Sequence, residues 1–69
     1  MTIEWINVRS SAIRKIGYDS SNSRMYIDFE DSDPYYTYCG VTQDVFSAFV
    51  TAQSVGSHYH QYIKDRYDC

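Results

Sequence analysis

The chain has 69 residues, which suits one domain over 1–69 with a thin core, since so short a chain buries only about 60% of the surface it exposes when unfolded. Aromatic residues make up 17%, eight of them Tyr, and six Lys and Arg against nine Asp and Glu leave a net charge of -3. That balance excludes tight, non-specific binding to duplex DNA. It leaves room for a small nucleotide or a single strand, and for oligomerisation as a way to gain burial.

The first segment, IEWINV, alternates Ile3, Trp5 and Asn7 against Glu4, Ile6 and Val8 and reads as a short strand. In SAIRKIGYD the apolar residues Ile13, Ile16 and Tyr18 are unevenly spaced, so a bulged or twisted strand is expected with Gly17 at the irregular point. The polar run DSSNS, residues 19–23, supplies a hairpin turn. RMYIDFE follows with strict alternation: Met25, Ile27 and Phe29 lie on one face, Tyr26, Asp28 and Glu30 on the other. A second turn, DSDP, leads into YYTYCG, where Tyr36 and Tyr38 share one face and Tyr35, Thr37 and Cys39 the opposite one.

After Gly40 the period changes. Val45, Phe46, Phe49 and Val50 recur at helical spacing, with Thr42 placed to cap and Asp44 to complement the dipole. SVGS then breaks the helix, and Ser57 is expected to cap a second one carrying Tyr59, Tyr62, Ile63 and Tyr67 as a stripe. The predicted architecture is α+β: a small antiparallel meander of three to four strands followed by two α-helices packed on one face. Phe29, Phe46 and Phe49 are its expected core. No basic leader with an apolar run opens the sequence, and no run of about eighteen apolar residues occurs, so a soluble, cytoplasmic protein off the membrane is expected. Cys39 and Cys69 are expected there as reduced thiols, although their number permits one bridge.

VRSSAIRKIGYD, MYIDF, YYTYCGV, VFSAFVTAQSVGSHY and IKDRY together resemble the KTSC domain family nearly end to end. The specific matches are Ser10-Ser11, Tyr18-Asp19, the central Y-x-Y of Tyr36 and Tyr38, and the A-x-S-x-G of Ala52, Ser54 and Gly56. The resemblance implies a short bacterial or phage protein. It also implies a link to RNA, because the same domain is appended to the C-terminus of some lysyl-tRNA synthetases, but it implies no catalytic residue. Thr42 stands where members often have proline, and DSDP where they often turn with glycine.

Two readings suit the tyrosines. Tyr36 and Tyr38 form either a half-buried row under a helix or a stacking platform for bases, with Tyr26 and Tyr35 as a comparable pair on the other face. Ser10, Ser11, Ser54, Gly56 and Ser57 read either as turn and cap residues or as contacts for a phosphate. Arg14 and Arg24, on paired strands within a cluster that includes Arg9 and Lys15, are the expected cations, or else solvated edge charges. His58 and His60, two apart on a helix, point away from one another, so neither a metal site nor an active site is expected. No cofactor is expected. The leading expectation is a non-catalytic module that holds a free nucleotide or unpaired RNA bases and possesses a capacity to sequester them. The alternative is a homo-oligomeric or protein-interaction module anchored by tyrosines.

Overall fold

The computed structural model describes residues 3–31, 35–67 and 69. Four strands, β1 (Glu4–Asn7), β2 (Ile13–Asp19), β3 (Arg24–Phe29) and β4 (Tyr36–Tyr38), form one antiparallel sheet in the order β1-β2-β3-β4. They are followed by α1 (Gln43–Val50) and by α2 (Val55–His58), which continues as a π-helical stretch over Tyr59–Ile63. The expected α+β meander with helices after it is therefore the observed architecture. Most of the second turn expected at DSDP lies outside the described residues.

Register follows from the alternation. Ile16 pairs with Ile27 and Tyr18 with Met25, while Tyr38 and Tyr36 pair with Met25 and Ile27. All of these side chains belong to the helix-covered face. Ile13 and Ile16 must both reach that face although they stand three positions apart, and the register shift between Ile13 and Lys15 absorbs the odd step. The irregular point is thus at Arg14, and the expectation that Gly17 would mark it is corrected: Gly17 pairs regularly with Trp5 and Tyr26.

The core is built from β2, β3, α1 and the second helix, with Ile16, Met25, Ile27, Phe49 and Ile63 fully buried. Phe46 is buried as expected, whereas Phe29, at the end of β3, is only half-buried, its ring against Tyr36 and against Tyr59 of the π-helical stretch. Tyr18 fits into this core because its ring stacks on Phe46 at 4.8 Å and its hydroxyl donates to the Val41 carbonyl at 2.7 Å. Asp19, also buried, accepts from the Ser21 amide and the Asn22 side-chain amide and so holds the first hairpin turn.

Thr42 caps α1 as expected, its hydroxyl accepting from the Val45 amide at 3.3 Å. For the second helix the expected cap is corrected. Ser54, not Ser57, precedes the first turn and accepts from the Ser57 amide, so Gly56 lies inside the helix. The glycine in left-handed conformation is Gly40, at φ 70°. The tyrosine stripe also ends early, because the π-helical stretch stops at Ile63 and Tyr67 lies beyond it.

Candidate functional site

The helices cover the sheet face of Ile16, Met25, Ile27 and Tyr38. The other face presents the alternate phase of each strand: Trp5 on β1, Lys15 and Gly17 on β2, Arg24, Tyr26 and Asp28 on β3, and Thr37 on β4. Trp5, Gly17, Tyr26 and Thr37 form one cross-strand row, and Tyr35 joins it from just before β4. Ring centroids of Trp5 and Tyr26 are 6.3 Å apart, of Trp5 and Tyr35 5.4 Å, and of Tyr26 and Tyr35 5.4 Å. The Lys15 ammonium sits 4.9 Å from the Trp5 ring centroid, in cation–π range.

Three aromatic side chains thus gather on a face that no helix protects. Tyr35 remains 43% exposed. Lys15 and Arg24 are the cations of this face, beside Asp28, while Asp19 shares its phase but turns into the hairpin and Glu30 continues the phase of Asp28 just beyond β3.

Trp5 escapes a reading of the sequence that looks for tyrosines. The signal that finds it is Gly17: a glycine inside a strand often marks a close approach, and a Cβ built there would lie 2.8 Å from the Trp5 ring. The indole lies directly on this gap in the pleated surface.

Tyr36 and Tyr38 occupy the helix side instead, at the sheet edge. The Tyr38 hydroxyl shares a hydrogen bond with that of Tyr59 at 3.2 Å, and Phe29 bridges Tyr36 and Tyr59 at ring distances of 5.4 and 5.3 Å. Burial above all, then the bond to Tyr59, pushes the Tyr38 phenol well above its ordinary range. Tyr38 is half-buried packing, and Tyr36 stays 53% exposed. The two expected tyrosine pairs therefore lie on opposite faces of one sheet and do not form one platform.

The cations do not converge either. Arg24 pairs with Asp19 at the turn end of the hairpin, while Arg14 is five residues away along β2, about 16 Å. Arg14 faces Glu30, donating to its carbonyl at 3.4 Å and approaching its carboxylate at 3.8 Å.

The serine segments do meet. Ser10 and Ser11 share a hollow of about 410 Å³ with Ser54, Gly56 and Ser57 and with Arg9 and His60. Within it the Ser10 hydroxyl accepts from the Ala12 and Ile13 amides, and the Ser54 hydroxyl donates to that of Ser57. His58 points elsewhere, with its ring against Phe49 and Tyr62 at 5.6 and 4.7 Å. Among the described residues no group of three or more His, Cys, Asp or Glu is placed to hold a metal.

Cys39 and Cys69 are joined in a disulfide, which corrects the expectation of reduced thiols. Proximity decides this: the turn after Ile63, with Asp65 at φ 62°, brings the chain back beside β4. No helix among the described residues is long and apolar enough to cross a membrane.

A four-stranded antiparallel sheet with helices on one face and aromatics on the other defines a small α+β domain. The KTSC domain family matches residues 9–67, and the chain belongs to that family. It is similar to a KTSC domain protein from Yersinia pestis whose crystal structure superposes with a TM-score of 0.91 at 32% identity, covering 99% of this chain and 94% of the other. It is also 31% identical over 62 residues to an uncharacterised protein of Stutzerimonas stutzeri (strain A1501), covering 90% of this chain and 86% of that one.

Proposed function

We propose that the protein is a non-catalytic binding module that takes unpaired nucleobases, as single-stranded RNA or a small nucleotide, on the open face of its sheet. The observation that carries this reading is the cluster of Trp5, Tyr26 and Tyr35 on the face opposite the helices, with Lys15 beside it. Aromatics on an uncovered four-stranded sheet suit base stacking, worth about 1 to 3 kcal/mol per base, and every base has a π-face. Lys15 and Arg24 supply the few cations a short strand needs, whereas a duplex presents no free π-face and more phosphates than they can neutralise.

The platform in this reading is not the Y-x-Y pair. Tyr38 is spent on Tyr59 and the core, while Tyr26 and Tyr35 face outward. The protein works in the cytoplasm, where thiol systems act on the Cys39–Cys69 bridge and make it a variable rather than a fixed feature.

A second reading has one observation in its favour. The same aromatic face is the kind of surface that two copies of so small a domain would bury against each other, with Tyr35 as the anchor. Tyr26→Ala, Tyr35→Ala, Tyr36→Ala and Tyr38→Ala, each melted and titrated with a short unpaired oligonucleotide, separate the readings. Base binding requires Tyr35→Ala to lose about 1 to 3 kcal/mol of affinity with little change in melting temperature. Loss of a dimer without any affinity for the strand favours the interface.

A further inference from the structure

The disulfide does more than join two ends of the chain. Sheet order makes β4 an edge strand, and Cys69 lies along it, its sulfur 3.8 Å from the Thr37 carbonyl oxygen. A disulfide sulfur carries no hydrogen, so this is packing and not a hydrogen bond. Asp65, Tyr67 and Cys69 form one side of a cleft of about 350 Å³, and Tyr36, Tyr38 and Tyr59 form the other. The bridge is the covalent tie that holds the one side to the other. Residues 64–67 have no strand or helix of their own; the Lys64 and Arg66 amides donate to the Tyr59 and Ile63 carbonyls, and beyond Arg66 this side of the cleft depends on that tie and on the packing of Tyr67.

Cys69 is exposed and Cys39 is half-buried. We propose that the Cys39–Cys69 bridge is a redox latch: a cellular dithiol of the thioredoxin class opens it, and release of the residues around Tyr67 uncovers the Tyr36–Tyr38–Tyr59 cleft and the free edge of β4. The reductant's thiolate attacks the exposed Cys69 sulfur, a mixed disulfide forms, and Cys39 leaves as the thiolate. The reductant's second thiol then attacks the mixed disulfide and frees Cys69. Two electrons and two protons pass to the protein, and the reductant departs as its own disulfide. Strands β2 and β3 and helix α1 do not depend on the tie, because the buried core lies between β2, β3 and the helices. Opening is therefore local.

Hydrogen exchange on the oxidised protein, on the protein in dithiothreitol, and on the Cys69→Ser variant tests this, with free thiols counted after incubation with a thioredoxin-type dithiol protein. The latch predicts that the dithiol protein liberates both thiols. It also predicts that peptides covering 35–41 and 64–67 lose protection on reduction while β2, β3 and α1 keep theirs, and that the serine variant reproduces the reduced pattern. An unchanged exchange pattern in fully reduced protein would overturn it. So would loss of protection throughout the sheet, which would make the bridge a fold-wide staple, or a bridge that the dithiol protein leaves intact.

Discussion

Trp5 lies flat over Gly17, its cross-strand partner, so closely that a Cβ on Gly17 would come within 2.8 Å of the ring carbon Cε3 and within 2.8 Å of the Ile3 side chain. No real Cβ sits at that distance, so any larger residue at this position must lift the indole. The aromatic face is therefore set by an absent side chain as much as by those present.

Gly17→Ala should cost about 1 to 3 kcal/mol, the usual range for overpacking, even though alanine suits a strand better than glycine does. Trp5 is the one tryptophan in the chain, so its emission spectrum reports the displacement directly. A variant that melts with the parent and shows unchanged emission would mean that the indole does not rest there.

Phe49→Ala removes the largest fully buried side chain and should cost about 3 to 5 kcal/mol. A domain of this length has about 3.5 to 10 kcal/mol in all at the usual figure per residue, so the loss is a large share of the total. Thermal melting measures it. A shift of only a few degrees would contradict the assignment of the core.

The Tyr38 phenol gives a pH dependence. Its pKa is raised in the folded protein by burial first and then by the bond to Tyr59. The neutral form is thus favoured by folding, and the associated stability is fully present below the ordinary tyrosine value near 10. It is lost as pH rises beyond that value toward the folded pKa. Spectrophotometric titration should show a late ionisation step that coincides with alkaline unfolding, and Tyr38→Phe should remove it. A titration that Tyr38→Phe leaves unchanged at its alkaline end would contradict it.

Much of the fold was legible because the physics involved is local. Strict alternation in RMYIDF identifies β3 and its buried phase, and the spacing of Val45, Phe46, Phe49 and Val50 identifies α1. The uneven step from Ile13 to Ile16 also announces a bulge, but not its position: Gly17 is the residue type that favours one, and Arg14 is the extra residue. What local pattern could not supply was long-range placement. The Cys39–Cys69 bridge depends on how the chain turns after a π-helical stretch that no periodicity announces. Which tyrosine pair faces outward depends on which side the helices take, and alternation within β4 is silent on that. Ser54 and Ser57 are equally good caps by type, and the choice falls to the residue where the break ends.

Trp5 fluorescence during addition of a short unpaired RNA, with the matching duplex as control, tests the central claim most directly. Bases stacking on the Trp5–Tyr26–Tyr35 face should quench the indole saturably. The affinity should depend on salt with a log-log slope of about -0.7 to -1.4, as one or two phosphate contacts to a single strand require, and Tyr35→Ala should weaken it. No quenching at any RNA concentration, tighter binding to the duplex, or full binding by Tyr35→Ala would contradict the assignment of this face as the nucleobase site.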